Sequence, residues 1–132
     1  MACAYTPAQI SAFLTHIQLP QKYHPENHPV HDVAFLTALH VHTISAIPYE
    51  NLSLHYSPTH TISIDPQHAF QKIVEGGRGR GGYCMEVSIL FNHVLRGLGL
   101  AAYTAGVRIR LRAGGVPAGD FVGWSVRRFF TP

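Results

Sequence analysis

One cysteine stands where a glycine-arginine loop meets a helical pattern. Residues 76 to 99 read GGRGRGGYCMEVSILFNHVLRGLG, with Cys84 at the junction. A thiol at a helix start is placed for nucleophilic work, because its reactive form is the thiolate. The unpaired N–H groups and the macrodipole of a helix N-terminus favour that form. Gly81 and Gly82, just before it, would let the backbone turn sharply and let a substrate come close. The plain alternative is a cysteine that packs as a small apolar residue, as lone cysteines commonly do. Two other readings of the loop are weaker. A phosphate-binding loop ends on Lys followed by Ser or Thr, whereas this one runs into Tyr83 and Cys84. An Arg-Gly segment for nucleic acid needs many repeats, and here only Arg78 and Arg80 interleave the glycines.

The elements that must position this cysteine can be read from caps and periods. Thr6 is an N-cap and Pro7 a first helical residue, with Ile10, Phe13, Leu14 and Ile17 following at helical spacing. After a polar loop, Asp32 caps a second helix whose inner face should carry Val33, Leu36 and Leu39. SAIPYENLSLHYSP holds Pro48 and Pro58 and reads as loop or extended chain, and TISI as a short strand. DPQHAFQKIVEGG is a punctuated helix with Asp65 as cap, Pro66 first and Gly76 past its end. A further helix runs from about Cys84 to Arg96, burying Val87, Leu90, Phe91, Val94 and Leu95, until Gly97 and Gly99 stop it. The period then changes to two. Val107, Ile109 and Leu111 alternate with Arg108, Arg110 and Arg112, a strand with one face in water. GGVPAGD turns the chain, and FVGWSV returns as the partner strand.

The chain's 132 residues suit one domain or a small domain plus part of another. With 46% hydrophobic and 13% charged residues, the composition argues against disorder, and the low charge fraction fits apolar faces meant to be covered by more chain. A net charge of +3 suits an anionic ligand but falls short of a nucleic-acid groove. Cys3 and Cys84 form no CxxC pair, so free thiols in a reduced compartment are the default. No stretch reaches the ~18 apolar residues of a membrane span, and the N-terminus has no signal-peptide pattern. The expectation is a soluble, cytoplasmic protein without nucleic-acid or membrane partners.

RGGYCMEV, with Arg80, Gly81, Gly82, Cys84 and Glu86, resembles the active-site signature of the arylamine N-acetyltransferases. IPYENL, residues 47 to 52, looks like the second signature of that family, at the expected distance upstream. The similarity runs from near the start to about Ser125. It implies an α+β fold: an N-terminal helical bundle carrying the cysteine, leading into the start of an antiparallel β-barrel. That arrangement is shared with papain-like cysteine proteinases and transglutaminases. On this reading residues 1–99 are the bundle and 100–132 the first strands of an incomplete barrel domain. The implied activity is a two-step transfer from acetyl-CoA, needing no metal, through an acetyl-Cys84 intermediate to an aromatic amine or hydrazine. Glu50 and Arg80 match family positions that form a buried ion pair tying the two signature loops together. Arg80→Gln should therefore damage folding more than chemistry.

The resemblance also implies a triad histidine after a segment like Gly123-Trp124-Ser125, where this sequence has Val126. The closing RRFFTP departs from the family pattern, and the triad aspartate would lie beyond it. Ser88 replaces a commoner asparagine. His93, nine residues along the same helix, faces away from Cys84 and over two turns off. His40 and His42 have metal-ligand spacing but face apart on a helix, with no acidic or cysteine set beside them. His55, His60 and His68 have no position readable from sequence. The chain is thus expected to be a truncated or mis-spliced family member, weak or inactive alone. The rival is a non-catalytic module that pairs with a full-length relative, another partner or itself through an open sheet edge. A cysteine hydrolase of the wider superfamily would need the same histidine and would forgo the two signature matches.

Overall fold

A computed structural model describes residues 3–130, and for Ile109 and residues 121–130 only the backbone. The first helix, α1 (Pro7–His16), starts as its sequence demands. The Thr6 hydroxyl accepts from the Gln9 N–H at 3.2 Å, and Gln9 Oε1 accepts from the Thr6 N–H at 3.0 Å. Two 3₁₀ turns, Gln21–Tyr23 and Pro25–Asn27, lead to α2 (Val33–Ala46), capped by Asp32 through the Phe35 N–H at 2.8 Å.

The buried face of α2 differs from the expected one. Phe35, Leu39 and Thr43 point inward, Leu36 packs at the core's rim, and Val33 is 80% exposed. This helix is apolar nearly all round, so its period leaves the inner face open. The ring contacts of Phe35 with Tyr23 at 5.6 Å and His31 at 4.6 Å show which way it turned.

The proline-bounded segment is not wholly irregular. Between Pro48 and Pro58 it forms one short helix, α3 (Leu52–Tyr56), because both prolines lie outside it. TISI is not a strand, and residues 61–65 run irregularly into the Asp65 cap of α4 (Pro66–Phe70). The expected continuous helix widens after Phe70 into a π turn, Gln71–Glu75. That turn buries Ile73 in the core and carries Lys72.

The last helix, α5 (Cys84–Gly97), packs Leu90, Phe91, Val94 and Leu95 against Phe13, Leu14, Phe70 and Ile73. Val87, expected inside, lies only partly buried. Gly97 is still helical, and α1 passes so close that a Cβ there would sit 2.4 Å from Ile10 Cδ1. Gly99, at φ +85°, ends the run.

Strands β1 (Ala102–Ala113) and β2 (Val116–Phe130) form a two-stranded antiparallel ribbon. The turn is shorter than GGVPAGD. Gly114 and Gly115 alone make it, at φ +59° and +80°, the backbone of a tight two-residue hairpin. Val107 faces Ser125 and Arg108 faces Trp124, with register shifts at Arg108/Ile109 and Arg110/Arg112. The base of the ribbon rests on α5, where Ala102 is buried. Toward the tip both faces are open. Leu111 is 59% exposed beside exposed Arg110 and Arg112, because no described element covers it. The backbone of Val126, where the resemblance implies a histidine, lies in β2 opposite Gly106; its side chain is outside the described residues. The architecture is α+β, helices first and a small antiparallel sheet after.

Candidate active site

The loop from Ile47 to Asn51 and the loop from Gly76 to Tyr83 meet edge to edge. Tyr49 and Gly82 form a parallel bridge, in which the Gly82 N–H donates to Pro48 O at 3.2 Å and the Glu50 N–H to Gly82 O at 3.1 Å. Glycine is required at residue 81 because a Cβ there would stand 1.6 Å from the Pro48 carbonyl oxygen. This corrects the sequence reading of these glycines. Neither Gly81 nor Gly82 has positive φ, and the partner that approaches Gly81 is the chain itself rather than a substrate. The left-handed turns fall earlier, at Gly77 and Gly79.

An ionic chain runs beneath this junction. Arg80 donates to Glu50 Oε1 from Nε at 3.1 Å and from Nη2 at 2.9 Å. The expected pair is present, but Arg80 is 39% exposed, so it is buried on the Glu50 side only. The charge that is well buried was not foreseen. Lys72, 9% exposed, lies 3.3 Å from Glu50 and 3.0 Å from Glu86, itself 1% exposed. Glu86 Oε2 also accepts from the Tyr83 N–H at 2.8 Å, satisfying a donor at the start of α5. Partial burial alone would raise the Glu50 pKa. The Leu52 N–H, Arg80 and Lys72 outweigh it and hold the carboxyl below its ordinary range. Nothing in the sequence around Lys72 marked it, since its partners lie 14 and 22 residues away.

Cys84 is the first residue of α5 and is half-buried. It borders a pocket of about 310 Å³ between α2 and α5, with Thr43, Ile44, Tyr49, Val87 and Ser88 on the walls. His40 also borders this pocket, with its ring packed on that of Phe91, centroids 6.4 Å apart, and Phe91 lies about two turns along α5 from Cys84. His42 turns from it to Ile17 O at 3.1 Å, so the two histidines do face apart. His93 accepts from the Ala4 N–H at 3.1 Å on the N-terminal segment, far from Cys84. Burial, then nearby Arg96, lowers its pKa. His55 and His60 cap local turns, through Asn51 and Leu54 O respectively. Among the described residues no group of three His, Cys, Asp or Glu could hold a metal ion, and no helix is long and apolar enough to cross a membrane.

A second cleft of about 590 Å³ lies on the other side of the ionic chain, walled by Ser53, Ser57, Thr59, His68, Lys72 and Arg80. Its two cations already neutralise Glu50 and Glu86, so it presents hydroxyls rather than net charge.

A helical bundle thus delivers a half-buried cysteine at a helix start, braced by two interlocked loops. The N-acetyltransferase family model matches residues 32–118. The chain belongs to that family, the arylamine N-acetyltransferases among its members. An N-malonyltransferase of Fusarium pseudograminearum is 34% identical over 117 residues, 80% of this chain and 33% of that protein. The liver arylamine N-acetyltransferase of Gallus gallus is 42% identical over 73 residues, 55% of this chain and 24% of the relative. Among solved structures, the arylamine N-acetyltransferase of M. tuberculosis superposes with TM-score 0.66 at 25% identity, covering 92% of this chain and 42% of the other. That of Nocardia farcinica gives TM-score 0.66 at 25% identity, covering 98% and 42%. The chain therefore spans about a third or less of these curated relatives and under half of the solved structures.

Proposed function

We propose that this chain carries the acyl-accepting site of an N-acyltransferase, with Cys84 as nucleophile. The observation that supports it is Cys84 at the first position of α5, open to an apolar pocket, in a chain of this family. In the first half-reaction the Cys84 sulfur forms a bond to the thioester carbon of acetyl-CoA. The carbon–sulfur bond to coenzyme A breaks, and the thiol proton ends on the released coenzyme A. In the second, an aromatic amine or hydrazine nitrogen takes the acetyl group and gives its proton back to Cys84. The malonyl-transferring relative makes malonyl-CoA a second donor to try. Glu50, Arg80 and Gly81 act by fixing the loops, not by touching the reactants. The ribbon beyond residue 100 serves on this reading as the first hairpin of a barrel. His40 shares the pocket with Cys84, but among the described residues no histidine is hydrogen-bonded to the sulfur, so turnover by this chain alone is expected to be slow.

The test is intact mass after incubation with acetyl-CoA or malonyl-CoA, beside Cys84→Ala. One acyl adduct, absent in the variant, supports the reading; a folded sample with no adduct from either donor overturns it. A binding role has one observation in its favour, the 12- and 15-residue strands that pair only with each other among the described residues. It predicts dimers, or a complex with a full-length relative, on size-exclusion chromatography.

A further inference from the structure

Tyr49 is mostly exposed, at 67%, and so has no part in the core, yet it is held firmly in place. Its backbone is bridged to Gly82, two residues before Cys84, and its ring stacks at a tilt on Tyr83, with centroids 5.6 Å apart. It walls the same pocket as Cys84, and the Tyr83 ring on which it stacks belongs to the residue that precedes Cys84 in the chain. Among the described residues, the O–H groups on that wall belong to Tyr49, Thr43 and Ser88. Thr43 spends its hydroxyl on Leu39 O at 2.7 Å, and Ser88 is one turn further along α5.

Resting on the acyl-transfer reading above, we propose that the Tyr49 hydroxyl donates a hydrogen bond to the acyl carbonyl oxygen as Cys84 attacks. Tyr49 is then a catalytic residue of the transfer. As the sulfur–carbon bond forms, the carbonyl π pair moves onto oxygen. That charge needs donors in place before it develops. The first N–H groups of α5 offer some, since a helix start leaves them without intrahelical partners. Tyr49 adds one from the facing wall. When the bond to the leaving sulfur breaks, the pair returns to the carbonyl and Tyr49 still holds its proton. Desolvation against the wall, then Cys84 and Tyr83, push the phenol's pKa up, which keeps it a donor throughout.

The experiment compares the full chain with Tyr49→Phe in three rate measurements on Cys84, read by intact mass. These use acetyl-CoA, p-nitrophenyl acetate and iodoacetamide. Loss of the hydroxyl should slow both acylations by about 10²-fold, in line with the loss of one oxyanion donor. Alkylation by iodoacetamide forms no oxyanion and should stay within about twofold. Acylation within about twofold of the unaltered chain overturns the proposal. So does an equal slowing of all three reactions, which would mean that Tyr49 acts on the thiol or on local structure. The ester keeps the two readings apart. If it labels Cys84 while acetyl-CoA does not, the donor assignment fails and the Tyr49 comparison still stands. If neither reagent labels the unaltered chain, both readings fall.

Discussion

Removing the Lys72 ammonium should unfold this protein more readily than removing the Arg80 guanidinium, although only Arg80 belongs to a recognisable motif. Lys72 sits between Glu50 and Glu86 at 3.3 and 3.0 Å, and its side chain is 9% exposed. In Lys72→Met, Glu86 at 1% exposure keeps only the Tyr83 N–H as a partner, so a nearly full buried charge is left uncompensated. Breaking a buried pair in this way costs about 3–5 kcal/mol. Arg80 is 39% exposed, water screens it, and Lys72 remains beside Glu50 when it is gone. Its loss falls between the exposed and buried limits, about 1–2 kcal/mol. For a chain this size about 1 kcal/mol moves the thermal midpoint by roughly 4 °C. Lys72→Met should therefore lower it by about 12–20 °C and Arg80→Gln by about 4–8 °C, followed by far-UV circular dichroism. Adding Glu86→Gln to Lys72→Met should restore more than half of the loss, because a neutral amide can still accept from the Tyr83 N–H. An Arg80→Gln loss equal to or larger than that of Lys72→Met would refute this ordering, as would a double variant no better than Lys72→Met.

Gly81→Ala should prevent the two signature loops from closing, since its methyl would stand 1.6 Å from Pro48 O. Gly82→Ala meets Glu86 Cβ at 3.1 Å and Ile73 Cδ1 at 3.2 Å, side-chain contacts that small shifts relieve, and should cost less than Gly81→Ala. Limited proteolysis between residues 47 and 83 reads the contrast, and equal protection in the two variants would contradict it. Stability should fall on acidification in two stages. Burial lowers the pKa of His16 and, with Arg96 adding, that of His93, so the unfolded chain takes up more protons as pH drops below 6.5. Their contribution is whole above 6.5 and is lost as pH falls through the lowered folded values. Glu50, held below 4.5, adds a further loss as pH falls from there. A thermal midpoint that stays flat or rises from about pH 7.5 to about pH 5.5 would contradict the histidine part.

The residues that announce helix starts did so correctly because capping is local. Thr6, Asp32 and Asp65 each reach an N–H three residues on, and Pro7 and Pro66 fit first positions whatever the rest of the chain does. The period of α5 and the alternation of β1 were legible for the same reason, as was the placing of Cys84 at a helix start. The Glu50–Arg80 pair was legible only through resemblance, and its half-exposed Arg80 was not. Tertiary contact decided the rest. Which face of α2 turned inward followed from Phe35 meeting Tyr23, not from a pattern that is apolar on every side. Lys72 found Glu50 and Glu86 because the π turn and α5 come together in space. Gly81 had to be glycine because the Pro48 carbonyl arrives from 33 residues earlier in the chain. Tyr49 came to the cysteine through a bridge between two loops. The sequence by itself therefore determined where elements begin and which residue heads α5, since those depend on neighbours within a turn. What surrounds that residue was decided by contacts between distant segments, whose energies no local spacing encodes.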